Sequence, residues 1–533
     1  MQAKLHNYRR SAHAVTLTLI VALASGCDLV VRSSVEASGT GEPNGASFEP
    51  SLSEDGRFMA FTSAASNLVP GDDNSSSDVF VRDHQSGVTE LISVNTSGGF
   101  ANDFSERPDI SPDGRYVVFA SWASDLVAGD SISTPDVFLR DRQNGTTELI
   151  SVDSNEIPGT IGSLGGSVSD SGRYVAFQSF DQFENDTNSD WDIYLRDRTL
   201  GTTRLMSTDS SNTTAAGASF DPAVSGDGST VVWWASSDNI VAGDSNGQPD
   251  VFWRTTGLLI KLLISQPNGG GQADGGSRSP DVSYNGSFVV FDSNATNLVT
   301  GDTNSESDVF RWDINQAPGD PLARISERGD GTEPNGRSLL ARINDDGDKV
   351  LYVSRADNLL PVSAGTGDTN GLQDAYLWES GVNSLVSRTW KGEPTNGASQ
   401  RGTISHDGSV LGYETFANNL QFTDNNGVSD VVARPTFKPE ITGVTAGTWV
   451  VGETSVITLA GSFSPNSTPI VGGNGVLAKA VTSVSANSLT LEITTAATAT
   501  PGVRQIWITS PSPQLGTNAP LGSAAQTSVT LQP

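Results

Sequence analysis

The chain holds a single cysteine, Cys27. No internal disulfide can form, and cysteine-ligated zinc is excluded along with a cysteine nucleophile inside the fold. Histidine is almost as scarce: His6 and His13 lie near the start, which leaves only His84 and His406. Positive charge is also short, with 31 Lys and Arg against 61 Asp and Glu and a formal net charge of -30. That balance argues against a phosphate-binding surface, so no nucleic acid is expected as a partner. Beyond residue 27 no apolar run is long enough to cross a bilayer. What the 533 residues do contain is 56 Gly and 25 Pro, with 36% hydrophobic and only 17% charged residues. Such a profile fits an all-β protein with many turns, long enough for two or more domains.

Residues 1–26 read as a signal peptide. Lys4, Arg9 and Arg10 form a positive start, and the apolar run 14–24, "AVTLTLIVALA", is too short to span a membrane as a mature helix. The following "LASGC" closes on Cys27 and resembles the lipobox of bacterial lipoproteins, with Leu23 one place earlier than is usual there. That resemblance implies cleavage before Cys27, lipidation of its thiol, and contact with a membrane through the lipid anchor only. Ordinary secretion, with cleavage after Ala24, is the alternative. Without the leader, 28 basic and 61 acidic residues leave a charge of -33.

A turn of the form Ser-x-Asp-Gly recurs along the chain. Its glycines are Gly56, Gly114, Gly172, Gly228, Gly286, Gly347 and Gly408, at spacings of 58, 58, 56, 58, 61 and 61 residues. Asp-Gly and Asn-Gly favour tight hairpins because both positions tolerate positive φ, so each unit is expected to begin with a hairpin. Five residues after each glycine stands an aromatic: Phe61, Phe119, Phe177, Trp233, Phe291, Tyr352 and Tyr413. Apolar residues two places earlier, from Met59 to Leu411, share their face by the period of a strand, which points to core packing rather than a sugar platform. A third strand of the "DVFVRD" type and a fourth of the "TELISV" type follow. Four short strands in each of seven units predict a seven-bladed β-propeller. The pattern resembles the TolB-like propeller repeats of bacterial envelope proteins, over residues 27–435. The seventh unit lacks a fourth strand, ending at "SDVVAR" before Pro435. The segment 29–35, "LVVRSSV", has the texture of that missing strand and is expected to close the ring as the outer strand of the last blade.

At Pro439 the repeat stops and charge thins out. Pro439, Ile441, Val444, Gly461 and Phe463 resemble the opening and central motifs of the IPT/TIG group of immunoglobulin-like folds. The resemblance implies an immunoglobulin-like β-sandwich over 436–533, a spacer or contact module without a cofactor.

The loop before each third strand repeats an acidic pattern. First aspartates Asp72, Asp130, Asp186, Asp244, Asp302, Asp368 and Asp424 are followed six residues later by Asp78, Asp136, Asp192, Asp250, Asp308, Asp374 and Asp430. Between them stand Asn74, Asn188, Asn246, Asn304, Asn370 and Asn426, with Ile132 the one departure. Oxygen donors alternating along a loop suit calcium, the one cofactor the chain suggests. Asp and Asn side chains also shape loops by bonding nearby backbone amides, and that local reading stands beside the calcium reading. The arginines Arg82, Arg140, Arg196, Arg254 and Arg434 at the ends of third strands are expected to pair with Asp83, Asp141 or Asp197 or with a neighbouring blade.

No catalytic constellation stands out. "GDSNG" at 243–247 matches Gly-x-Ser-x-Gly, but it is the acidic loop of the fourth unit and no helix follows it. His406 sits in a Ser-x-Asp-Gly turn at a position filled elsewhere by Glu54, Pro112 and Tyr284, which argues turn surface. The reading is a non-catalytic binding or scaffold protein, exported to the bacterial cell envelope, whose propeller face contacts an envelope protein or glycan. The alternative is an extracellular hydrolase or lyase with acids gathered at the channel, which requires unrepeated residues to converge there. The irregular segment 156–167 and the departures in blades five and six are where such asymmetry is expected.

Overall fold

The computed structural model describes residues 30–436, apart from short loop stretches, and the backbone of eight strands between Glu440 and Gln532. The leader and Cys27 lie outside the described residues. Up to Pro435 the described strands form seven four-stranded antiparallel sheets. Blade 1 comprises Ser47–Leu52, Phe58–Ser63, Asp78–Asp83 and Val88–Leu91, paired in chain order. Blades 2 to 6 repeat this order. First strands of successive blades adjoin, and that of blade 7 (Ser399–Ile404) adjoins that of blade 1, so the ring closes around an axis lined by first strands.

Ring closure follows the sequence reading. Val31–Arg32 pairs antiparallel with Asp430–Pro435, opposite Ala433 and Val432, and completes blade 7. The regular pairing is two residues long, shorter than the expected 29–35, because the amides of Ser33 and Ser34 both turn to the Val431 carbonyl. The hydroxyl of Ser34 then donates to Asp430 at 2.7 Å, as Ser93, two residues past the fourth strand of blade 1, donates to Asp78 at 2.6 Å. The two ends of the ring are thus joined by the same side-chain bond that is found in every other blade.

Both faces of each blade are buried, so the strand alternation sorts neighbours rather than core from solvent. Met59, Phe61 and Phe80 of blade 1 pack with Val410, Val431 and Ala433 of blade 7. Ala60, Val79 and Val81, on the opposite face, pack with Val117 and Phe119 of blade 2. Large rings point one way and small aliphatics the other, which lets wedge-shaped blades nest around an axis.

The Ser-x-Asp-Gly turns differ from the expected two-residue hairpin. Positive φ occurs at the glycine (71° at Gly56, 70° at Gly114) but not at the preceding aspartate. The aspartate instead caps the turn: Asp55 accepts from the Arg57 amide at 2.9 Å, and Ser53 accepts from the Phe58 amide at 2.9 Å. A Cβ on Gly114 would run into the Phe58 ring of blade 1, so glycine serves here both the backbone and the inter-blade contact.

Past the ring, Glu440–Ala446, Thr454–Ser462, Ser488–Thr495 and Val476–Ser485 form one four-stranded sheet in that order. Trp449–Val450, Ala524–Gln532, Gly502–Thr509 and Thr468–Val471 form a second. Pro439 and Phe463 of the motif read from the sequence lie outside the described residues.

Candidate functional site

Each first strand starts at one end of the ring, here the upper, and runs down to its Ser-x-Asp-Gly turn. Third in each strand is a β-bulge. Glu49, Arg107, Asp221, Ser279 and Leu340 adopt φ between 50° and 56° there, and Gly165 59°. Left-handed backbone at a non-glycine residue is costly and persists where surroundings enforce it. The enforcing contact comes from the preceding blade. The Arg107 amide donates to Glu49 at 2.8 Å, Asp221 to Gln178 at 2.9 Å, Leu340 to Asp292 at 3.3 Å, and Glu49 to Glu414 at 2.7 Å. Burial pushes the carboxyl of Asp292 up to about 6 and that of Glu414 up to about 7. These perturbed acids are latches between blades.

The bulges turn polar side chains into an axial channel of 510 Å³. Glu49, Arg107, Gln178, Asp221 and Arg401 line its upper part, where Arg401 bonds Glu49 at 2.6 Å and Arg107 meets Glu106 at 3.2 Å. Asp345 and His406 line the lower part, their side chains 2.9 Å apart. Burial lowers the His406 imidazole, but the Asp345 bond and the charges of Asp345, Asp170 and Asp109 outweigh it and leave the group above its ordinary value. Asp170 is raised to about 6, chiefly by burial. His406 therefore faces the channel rather than open solvent, contrary to the turn-surface reading. Turn position alone could not reveal that seven turns converge. Asp109 and Asp281 are raised by burial and each accepts an amide from the next blade, from Val168 and Ile343 at 2.9 Å. Unrepeated charges do meet in the channel, as the enzyme alternative requires.

A second asymmetry sits at the upper end of blades 2 to 4. Phe104 and Trp122 stack with centroids 4.1 Å apart, Phe180 and Trp191 meet edge-on at 5.7 Å, and Phe220 and Trp234 stack at 4.6 Å. All six rings are half-buried. Trp234 donates its indole N–H to Asp221 at 2.8 Å and carries the Arg278 guanidinium 5.1 Å from its ring. The positions of Trp122 and Trp234 hold Ala64 and Thr62 in blade 1, so these rings break the repeat. The signal was present in the columns that vary between copies. The irregular segment around Glu156 does something else: Glu156 pairs with the buried Arg196 at 2.5 Å. Part of the irregular stretch in blade 6, 361–366, lies outside the described residues.

The acidic loops also lie at the upper end. In all seven blades a serine hydroxyl donates to the second aspartate, at 2.5–2.7 Å. Burial pushes Asp78, Asp250, Asp374 and Asp430 up to about 6 and Asp136, Asp192 and Asp308 up to about 7, against hydroxyl bonds that pull them down. The asparagines are engaged locally. Asn74, Asn188, Asn246, Asn304, Asn370 and Asn426 each accept, through Oδ1, the amide two residues on. Their Nδ2 donates to a backbone carbonyl of the following segment, such as Ala101 from Asn74 at 3.0 Å or Pro43 from Asn426 at 2.9 Å. The first aspartates differ from blade to blade. Asp186 and Asp368 accept tyrosine hydroxyls, Asp302 and Asp424 face arginines, and Asp244 has no side-chain partner, only the nearby loop amides of Ser245 and Asn246. Among the described residues, no group of three or more His, Cys, Asp or Glu is arranged to hold a metal.

The remaining singled-out residues are structural. The arginine forks onto Asp83, Asp141 and Asp197 come from Arg57, Arg115 and Arg173 of the second strand, not from Arg82, Arg140 and Arg196. Those three reach Thr89, Thr147 and Thr203 on the fourth strand at 3.0–3.3 Å. Arg196, Arg254 and Arg434 do reach the preceding blade, at Asp153 and Glu156, at Thr208, and at Val386 and Arg388. His84 is buried between the Gly56 carbonyl and the Ser33 hydroxyl, each at 2.9 Å, and burial lowers its imidazole to about 4. No helix among the described residues is long and apolar enough to cross a membrane.

No protein-family model and no curated protein matches the chain. Solved structures do. The β-propeller domain of the trilobed protease of Pyrococcus furiosus is 10% identical, with 73% of this chain and 93% of that one covered at a TM-score of 0.45. A putative TolB from Agrobacterium tumefaciens is 16% identical, with coverages of 66% and 94% and a TM-score of 0.36. A puromycin-hydrolysing peptidase of Mycobacterium tuberculosis is 11% identical, with coverages of 83% and 62% and a TM-score of 0.42. It is the seven sheets themselves that make residues 30–436 a seven-bladed β-propeller.

Proposed function

We propose that this chain is a non-catalytic, exported binding protein of the bacterial cell envelope, a TolB-like propeller held to the membrane by lipid on Cys27. In this reading residues 1–26 are the leader, 27–435 the propeller, and 436–533 an IPT/TIG-like module that spaces the ring or adds a contact. The upper face engages envelope glycan or protein, and glycan is favoured. The observation that carries the reading is the arc of three aromatic pairs in blades 2 to 4, flanked by Asp221, Arg278 and the channel charges. Flat apolar rings beside convergent polar groups are the usual furniture of a small-molecule site.

Binding of envelope oligosaccharides to the mature chain tests this. Trp122→Ala and Trp234→Ala should each weaken binding about tenfold or more, equivalent to about 1.4 kcal/mol, while the melting temperature holds. Binding unchanged in both variants overturns the reading. A hydrolase or lyase is the second reading, supported by the convergence of His406, Asp345, Asp170 and Asp109 at the lower channel. It requires turnover of the bound glycan that is lost in His406→Gln.

A further inference from the structure

We propose that the cleft between Asp244 and Asp250 in blade 4 is a calcium site. The inference goes beyond the binding-face reading and rests on comparing equivalent positions around the ring. In blade 5 the Arg324 guanidinium enters the cleft between the two loop aspartates, 3.5 Å from Asp302 and 3.6 Å from Asp308. In blade 7 Arg32 does the same, 3.7 Å from Asp424 and 3.0 Å from Asp430. These two arginines share one position, two residues before the serine that bonds the second aspartate. The other blades carry Leu91, Leu149, Leu205, Leu263 and Leu385 there. Blades 3 and 6 solve the same problem with a hydroxyl: Tyr194 donates to Asp186 at 2.6 Å and Tyr376 to Asp368 at 2.7 Å.

Blade 4 has neither device, because Phe252 stands in the place of the tyrosine and Leu263 in the place of the arginine. Yet its acids are as deeply buried as the others, Asp244 at 7% exposure and Asp250 at 1%. No side chain bonds either oxygen of Asp244, and only the loop amides of Ser245 and Asn246 lie close to it. A third carboxylate, Asp238, joins the same loop by accepting the Gly247 amide at 3.2 Å. A buried carboxylate pair with no cation between its members is costly, and four sister blades neutralise or bond the acid equivalent to Asp244 from a side chain of their own.

An ion in the place of the guanidinium completes the pattern. All-oxygen donors select a hard cation, and a loop this irregular suits calcium better than magnesium, which demands near-ideal octahedral geometry. Asn246 is engaged on both sides, its Oδ1 by the Gln248 amide and its Nδ2 by Asp250 and the Ala273 carbonyl. The donors are therefore the carboxylates, with carbonyls and water completing the shell. So few charged donors imply weak binding, with Kd on the order of 10⁻⁴ to 10⁻³ M. Blades 1 and 2 share Phe and Leu at these positions, but their first aspartates, Asp72 and Asp130, are more exposed and would hold an ion more loosely.

The test uses the full mature chain, melted in chelator and in calcium, with bound calcium counted by equilibrium dialysis. At tenfold excess over Kd, calcium should raise the melting temperature by about 2 °C. Leu263→Arg supplies blade 4 with the cation that Arg324 supplies to blade 5. Asp244→Asn removes the charge that no side chain of blade 4 meets. Each should raise the metal-free melting temperature, shrink the calcium shift and reduce bound calcium by one ion per chain. If Leu263→Arg does not fold, Asp244→Asn gives the same reading alone. A wild-type chain that magnesium, or sodium at matched ionic strength, stabilises as much as calcium overturns the proposal. So does full calcium binding by Asp244→Asn.

Discussion

Glu414 offers the sharpest test of the bulge-and-latch account of the ring. Its side chain, 3% exposed, accepts the amide of Glu49, whose left-handed conformation makes the bulge in the first strand of blade 1. Burial is the main reason its carboxyl rises from 4.5 to about 7; the Glu49 amide and Arg401 pull it down, and the Glu49 carboxylate pushes it up. Because the folded value lies above the unfolded one, the native chain holds this proton longer. The stabilising contribution is complete below about pH 4.5 and is lost as pH rises through about 7. At about 1.4 kcal/mol per pKa unit, ionising Glu414 costs the fold about 3 kcal/mol at pH 8 and less than about 1 kcal/mol at pH 5. Glu414→Gln keeps an acceptor for the Glu49 amide and cannot ionise. The ring already contains this solution, since Gln178 accepts the Asp221 amide at the equivalent position of blade 3. Urea unfolding should show the variant more stable than the parent by about 2–3 kcal/mol at pH 8, with a difference below about 1 kcal/mol at pH 5. A variant less stable than the parent at pH 8, or a difference that does not change with pH, would refute the reasoning.

Arg32→Met should cost about 3–5 kcal/mol, because it leaves Asp424 and Asp430 buried without their cation and removes the guanidinium stacked 4.3 Å from Phe422. Spread over roughly 400 ring residues melting together, that is a fall of about 5 °C, and no fall would mean the chain's start does not hold blade 7. Gly114→Ala should cost about 2–4 kcal/mol, since it adds a collision with Phe58 to a positive φ. Gly129→Ala, with φ +97 and nothing within 4 Å of an added Cβ, should cost only about 1 kcal/mol. Equal losses in thermal melts would rule out inter-blade packing as the reason. The His84 ring should remain neutral down to about pH 4 in NMR titration, so its share of stability is lost as pH falls from 6.5 toward 4. A midpoint near 6.5 would contradict its burial between Gly56 and Ser33.

Much of the ring was legible before any coordinates. Seven Ser-x-Asp-Gly turns count the blades, and the aromatic five residues past each glycine marks the second strand. The missing strand at Pro435 and the likeness of 29–35 to a fourth strand anticipated closure, while the structure added that Ser34 takes the place Ser93 has in blade 1. These features are periodic in the chain, and periodicity survives without knowledge of contacts. The equivalence of Arg32 and Arg324 was present in the same alignment. It carried no meaning until the loop aspartates were seen on either side of each guanidinium.

The chain's order of residues determined the strand count, the blade count and the way the circle is joined, because those depend on local hydrogen bonding and on a repeat of about sixty residues. Only the tertiary structure decided what meets at the axis and on the rim. His406 and Asp170 stand more than two hundred positions apart, and so do Glu49 and Arg401. A closed ring brings such residues together because every first strand faces one axis, and no spacing along a chain records that convergence.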